Sequence, residues 1–452
     1  MTRPTILWLR RDLRLDDHQA LSAAIAAGGA VIPVFIWAPE EEQPWSPGAA
    51  SRWWLARSLR SLDVRLRRLG SSLVLRRGPT AKALRALVRE TDAGRVLWTR
   101  CVEPASVRQE REVERLLTAD GIIATGVGGG LLLEPSELAT GTGGSYRVFT
   151  PFWRALRARD VHIGLPLPAP ARIPAPSSQP FSVSIADLSI EPDGAWTGGL
   201  ETSGMPGLAG AQLRLGEFQS QALGDYAAAR DLPGTPGTSH LSAHLHFGEI
   251  SPRRVWHTVS GSPGAEPFLR QLAWREFAHH LLANFPHTAD SALRPELVPL
   301  PSAEDPAALR AWKQGRTGFP LVDAGMRQLW ATGWMHNRVR MVVASFLVKD
   351  LQVDWRSGAR WFWDTLVDAD LANNSFGWQW VAGCGADAAP YVRIFNPELQ
   401  AKRFDPTGAY VRRWIAELGA TSYPAPIVDH AEARAQALAA YGLRARGAAR
   451  AL

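Results

Sequence analysis

Between residue 5 and about residue 130, short apolar runs alternate with stretches whose apolar residues recur three and four apart, and this alternation restricts the fold more than any other feature. Thr5–Leu9, Ala30–Trp37, Ser72–Leu75, Arg95–Thr99 and Gly121–Val127 read as strands, while Ser51–Leu69, Thr80–Glu90 and Val107–Ala119 read as amphipathic helices. Strand–helix alternation predicts a parallel, doubly wound α/β sheet. No GxGxxG follows the first strand, and Gly128-Gly129-Gly130 comes only after the last one, which disfavours a nicotinamide-type dinucleotide fold.

The remainder has a different character. Residues 164–207 are rich in Pro, Ser and Gly and read as a long surface linker. From about residue 210 to 420 the pattern is nearly all helical, clearest over Phe268–Phe285, Pro306–Gly315, Leu321–Thr332, Asn337–Leu351 and Arg356–Val367. The expected organisation is an α/β domain over 1–130, a connection over 131–207, a helical domain over 208–420 and a tail over 421–452, frayed beyond Gly442. With 452 residues and 46% hydrophobic content, the chain has material for two or three cores.

Composition narrows the setting. Two cysteines, Cys101 and Cys384, supply neither a disulfide framework nor a CxxC metal signature. The first apolar run ends at once in Arg10 and Arg11, unlike a signal peptide, and no apolar stretch reaches the 18 or so residues of a membrane span. We expect a cytoplasmic monomer with no membrane partner. A net charge of +7 is compatible with a polyanionic partner but is weak evidence by itself. Nineteen tryptophans are far above ordinary usage.

Three stretches hold candidate chemistry. Thr238-Ser239-His240-Leu241-Ser242 places hydroxyls and backbone N–H groups where a helix opens, which suits either a phosphate or plain N-capping. His244 and His246 form an HxH without a completing Cys, His or carboxylate set, so no metal site is expected. In Gly333–Met341, Asn337 and Met341 share a helical face with Arg340 beside them, above the apolar wall of Val342, Val343, Phe346 and Leu347. In Trp363–Trp380, Trp378 and Trp380 differ by about 200° around a helix and serve different neighbours. Asp368 and Asp370 likewise cannot line one face, so one of them belongs at a helix end.

LWLRRDLRLDDHQAL, WAPEEEQPWSPGAASRWWL, GTSHLSAHLHFGEIS, WREF, GRTGFPLVDAGMRQLWATGWMHNRVRM, FWDTLVDADLANN and GWQW, in this order, make the chain resemble the DNA photolyase/cryptochrome family over nearly its whole length. The second motif is similar to that of plant cryptochromes and the class III photolyases related to them. The resemblance implies an N-terminal antenna domain and a helical domain holding FAD. By position, Tyr226, Thr238, Ser239, Leu241 and Ser242 would hold the phosphates and ribityl side, and Arg275, Trp334, Asn337, Arg340, Asp368, Asp370, Asn373 and Asn374 would surround the flavin and adenine. Asn374 would face flavin N5, and Arg340 with Asp368 would form a fixed dipole beside the ring. Trp274 and Trp380 would wall the pocket of a flipped-out pyrimidine dimer in UV-damaged DNA, Met341 and Asn337 would line it, and Arg338 and Arg393 would meet flanking phosphates.

The match departs from the family at three places. Gln271 stands where cyclobutane-dimer enzymes carry Glu; six-four photolyases carry Gln there, but with a His pair where this chain has His336-Asn337. Cyclobutane-dimer repair is therefore expected first, with six-four repair or a cryptochrome photoreceptor as alternatives. Trp378 and Trp355 match two members of the family's electron relay, whereas the outermost position falls near Ser302, so either another aromatic substitutes or photoreduction is impaired. Gln43, Pro44, Ala105 and Ser106 do not match the folate contacts of one branch, yet the WAPEEE motif favours methenyltetrahydrofolate over deazaflavin as second chromophore.

Overall fold

The computed structural model describes residues 2–192, 194–298, 305–388 and 393–450. Strands β1 (Thr5–Leu9), β2 (Val31–Trp37), β3 (Val74–Arg77), β4 (Arg95–Thr99) and β5 (Ile123–Val127) form one parallel sheet in the order β3-β2-β1-β4-β5. Thr5 pairs with Val31 on one side and Arg95 on the other. Alternate residues serve opposite faces. Ile6, Trp8, Ile32 and Val34 pack on helices α3 (Thr80–Thr91) and α4 (Pro104–Ala119), and Leu7, Leu9, Val31 and Phe35 pack against α1 (Gln19–Ala26) and α2 (Ala49–Arg68). A sheet covered on both sides needs apolar residues at consecutive positions, which is why these runs are continuous rather than alternating. Each buried Leu- or Phe-sized side chain contributes about 1.5–3 kcal/mol.

Three expectations change. The 164–207 segment is not loose: Ile173, Leu188, Ile190 and Leu200 are buried in the core under α2, because each apolar residue spaced along the Pro-rich chain finds a slot on that helix. The segment also contains a short helix, Gly198–Ser203. At the other end, a helix runs over His430–Arg450 where fraying was expected, and Tyr441 anchors it to Lys349. The long helix expected over 337–351 is α-helical over Asn337–Ser345 and widens to a π turn over Phe346–Asp350.

The helical half packs the helices Ala265–Asn284, Pro320–Thr332, Asn337–Ser345, Trp355–Thr365 and Leu371–Ala382 around a core that includes Trp312, Met335, Val343, Phe346 and Trp378. It meets the sheet domain through the loop after β1: Leu13 N–H donates to the Phe247 carbonyl at 3.1 Å, and Arg14 reaches the Gly248 carbonyl at 3.2 Å. Gly248 has φ +63°, and a Cβ there would lie 2.0 Å from the Arg11 carbonyl oxygen. Only glycine allows this approach. No helix of the described residues is long and apolar enough to cross a membrane.

Candidate flavin and DNA-lesion site

Three helix starts and one loop converge on the candidate site. Asp370 caps the Leu371–Ala382 helix, its carboxylate accepting from Asn373 N at 2.9 Å and Asn373 Nδ2 at 2.6 Å. His336 caps the Asn337–Ser345 helix. Arg340, one turn in, donates to both Asp368 oxygens at 3.1 and 2.8 Å and to the Met335 carbonyl at 2.7 Å. Sequence spacing alone did not require Arg340 and Asp368 to meet; the turn before the Leu371–Ala382 helix brings them together. Asn337 Nδ2 approaches Met341 Sδ at 3.9 Å, as their i,i+4 spacing implies.

A half-buried stripe of the Leu371–Ala382 helix is formed by Asn373 and Asn374, Gly377, then Trp380, spaced three and four apart. An added Cβ at Gly377 would meet nothing within 4 Å. This bare surface is bordered by amides, and Asn374 Nδ2 is held by the Ala359 carbonyl at 3.0 Å, which leaves its Oδ1 free of a partner among the described residues. An open face with amide donors and acceptors, next to a fixed guanidinium–carboxylate pair, fits a flat heteroaromatic ring system such as flavin. Trp378 points the other way, 3% exposed, with ring centroids 5.0 Å from Phe362 and 6.4 Å from Trp312.

Trp274 is half-buried on the Ala265–Asn284 helix, with Gln271 one turn before it. Phe149 stacks on Trp274 at 3.6 Å and 8°, and Phe376, one turn before Trp380, lies 5.7 Å away. Arg393 is exposed and sits over the Trp380 ring at 4.4 Å. The remaining candidates vary in what surrounds them. Trp334 packs against His240 with ring centroids 4.2 Å apart and the rings tilted by 39°, which joins the Thr238–Ser242 loop to the Asn337 helix. Ser239 Oγ accepts from Leu241 N at 3.4 Å, Leu241 is buried, and Ser242 begins the short Ser242–His246 helix with its side chain exposed. Thr238 is half-buried beside them. The Tyr226 ring is buried edge-on against Phe218 and Phe268. Arg338 is engaged by Asp231 at 2.9 Å and by the Phe404 ring at 4.3 Å, so a phosphate there competes with a carboxylate. Arg275 pairs with Glu276 at 2.7 Å.

Sequence reasoning missed Phe149, His240 and a buried charge network beneath Asp370. The Asp370 carboxylate lies 3.4 Å from both His246 Nδ1 and His279 Nε2, and Glu103 is gripped by Arg11. Burial works against the charged forms, but the His279 charge holds Asp370 well below the usual carboxylate range, and Asp370 in turn raises His279. Glu103, His279 and Asp370 bring ligand atoms within 4.8 Å of one another. Arg11 and His279 already supply cations to these carboxylates, which makes the group a balanced ion network rather than a cation cage. Nothing in local periodicity signals it, because its members, Arg11, Glu103, His246, His279 and Asp370, come from five separate segments.

A second cleft opens where the C-terminal ends of β1 and β2 face the helical half. Arg10, Arg11, Phe35, Trp37, Glu42, Cys101, His246 and Trp363 are among its walls, and Ser106 also lines it. Crevices beyond the strand ends of open parallel sheets are the usual ligand position of such folds. Both cysteines are free thiols. Ser302 lies outside the described residues.

Comparison with known proteins places this geometry. A family model described as DNA photolyase matches residues 5–174, and one described as the FAD binding domain of DNA photolyase matches residues 268–422. The chain belongs to the DNA photolyase/cryptochrome family and carries the family's FAD-binding domain. It is 44% identical to a deoxyribodipyrimidine photo-lyase of Agrobacterium fabrum, over 97% of this chain and 98% of that protein. Cryptochrome-1 of Arabidopsis thaliana is 39% identical over 92% of this chain and 63% of its own length. The crystal structure of a class III photolyase from Agrobacterium tumefaciens superposes with a TM-score of 0.94 at 42% identity, covering 99% of this chain and 98% of that one.

Proposed function

We propose that the protein is a light-driven deoxyribodipyrimidine photo-lyase acting on cyclobutane pyrimidine dimers in UV-damaged DNA. The observation that carries this reading is the open stripe Asn373/Asn374–Gly377–Trp380 between the Arg340–Asp368 pair and the Trp274 wall. The amides and the ion pair would hold FAD, which in its light-excited reduced form would supply one electron to the lesion. Asn374 orients a neutral amide toward the ring, and the Arg340–Asp368 dipole favours added negative charge beside it. Trp274, stiffened by Phe149, and Trp380 present apolar faces that receive the unstacked lesion, while Asn337 and Met341 line the entrance. Flipping is easiest at a damaged, already unstacked step, so the lesion itself contributes selectivity. Arg393, resting on Trp380, swings to a phosphate when the lesion enters.

The cleft above β1 and β2 holds the second chromophore, with methenyltetrahydrofolate favoured because Trp37 and Trp363 among its walls suit a pterin face. Mass analysis of chromophores released from the purified protein tests this, and deazaflavin or flavin alone would overturn it. For the substrate, reduced protein illuminated with oligothymidine bearing cyclobutane dimers, and in parallel with six-four products, is expected to restore only the former. Repair of six-four products alone overturns the choice of lesion, and failure with both favours a photoreceptor.

A further inference from the structure

We infer that Arg270 holds a backbone phosphate on the Trp274 side of the lesion site, opposite the phosphate held by Arg393, so that the strand is gripped on both flanks of an extruded dimer. The inference rests on the repair reading above and names a DNA contact that reading leaves unassigned. Pushing two linked bases out of a duplex bends the sugar–phosphate backbone at both junctions with the stacked strand. A cation at one junction leaves the other free to recoil, whereas a cation at each holds the distorted strand open.

Arg270 lies four residues before Trp274 on the Ala265–Asn284 helix, so the two share a face, with Gln271 beside them. Its guanidinium sits over the Phe149 ring, 5.3 Å from the centroid, and Phe149 is the ring stacked on Trp274 at 3.6 Å. The Trp380 wall carries its cation in the same way, with Arg393 at 4.4 Å over the ring. A guanidinium lodged on an aromatic face keeps its N–H groups for an anion, and their fork matches a phosphate. The ordinary partner of an exposed helical arginine is a carboxylate one turn away. Glu266 occupies that place, four residues before Arg270, but it faces Arg157 at 3.7 Å. Arg270 is exposed and has no carboxylate partner among the described residues. By contrast, Arg338 is engaged by Asp231, and Arg393 shares its charge with Asp387. The Arg270 charge is therefore left for an anion from outside the chain.

The test is binding, in the dark and across a range of salt, of FAD-loaded protein to duplexes that carry one cyclobutane dimer and a neutral methylphosphonate in place of one flanking phosphate at a time. Wild type should lose affinity when either flank is neutralised. Arg270→Gln should bind the dimer duplex several-fold more weakly, with a salt slope shallower by about one, and should lose nothing further when one particular flank is neutralised. Arg393→Gln should show the same insensitivity for the opposite flank; such non-additivity identifies groups in contact. Arg270→Lys, which keeps the charge, should keep the slope. Undamaged duplex should bind wild type and Arg270→Gln alike, because the strand reaches the Trp274 wall only with the dimer extruded. Arg147 rests on Phe285 at the other end of the same helix, so Arg147→Gln removes an equal charge and should leave both couplings intact. The inference is overturned if Arg270→Gln stays as sensitive as wild type to both methylphosphonates, if both arginines couple to one phosphate, or if Arg147→Gln produces the same loss. Wild type that binds damaged and undamaged duplex equally overturns the repair reading and this inference with it. Discrimination retained by Arg270→Gln at wild-type affinity overturns the inference alone.

Discussion

Asp368 is buried with the Arg340 guanidinium across both of its oxygens, so the two substitutions that break the pair are unequal. Arg340→Met leaves a buried carboxylate uncompensated and should cost about 3–5 kcal/mol. Asp368→Asn keeps the shape and leaves Arg340, partly exposed, to water, and should cost less. Denaturant midpoints of both variants check the order, and flavin retained after gel filtration should fall in the same order. Gln271 is one turn from Trp274, on the face that the proposed repair reading offers to a lesion. Gln271→Glu should raise the dimers repaired per absorbed photon, because a carboxyl stabilises a lesion carrying an extra electron better than an amide does; an unchanged or lower yield contradicts that role. The types and order of these residues were legible in the sequence. Phe149 behind Trp274 and His240 on Trp334 were not, since both contacts join segments about a hundred residues apart.

At the level of elements, Gly358 decides how closely the Trp355–Thr365 and Leu371–Ala382 helices approach. A Cβ there would lie 2.1 Å from the Trp378 ring and 2.6 Å from Leu347. Gly358→Ala gains about 1 kcal/mol of helix propensity, but overpacking costs about 1–3 kcal/mol, so the clash wins. A lowered thermal midpoint and a displaced Trp378 fluorescence maximum are the expected signs. Lys349, in the π turn against which the C-terminal helix packs, carries a pH dependence. Lys349 titrates near 7 in the fold against 10.5 for an ordinary lysine, so between those values the unfolded chain binds a proton that the folded chain does not. Stability from this group is therefore complete above 10.5 and is lost as pH falls toward 7. Denaturation of Lys349→Met across that window should lose the rise that wild type shows; the same slope in both proteins rules out a neutral buried amine. Composition suggested a frayed tail because Ala and Arg dominate its end, whereas Tyr441 finds its partner only through the fold.

For the molecule as a whole, the basic balance of +7 becomes meaningful once Arg393 is found beside the Trp380 wall. Affinity for DNA should fall linearly on a log–log plot against salt, and Arg393→Ala should reduce that slope by about one. Undamaged and dimer-containing duplexes should weaken alike, as befits a phosphate contact; a loss confined to damaged DNA would instead assign Arg393 to the lesion pocket. The two halves act as one binding body because the β1 loop is threaded into the helical half at Gly248 and because Asp17 takes Ser251 and Arg253 from it.

Local physics explains what the sequence by itself determined. Short continuous apolar runs between amphipathic stretches specify a two-faced parallel sheet, three-and-four periodicity specifies the helices, and ordered motifs indicate the family and its flavin. Those signals live within a few turns of chain, where spacing equals geometry. Tertiary structure decided the rest: that the Tyr226 ring packs edge-on against Phe218 and Phe268 while Gly377 leaves a bare face, that the Pro-rich connection is pinned under α2, and that Glu103, His279 and Asp370 share one buried network. Each of these depends on which distant segment fills the space beside a residue, and burial, pairing and ionisation follow from that neighbour rather than from the residue's own place in the chain.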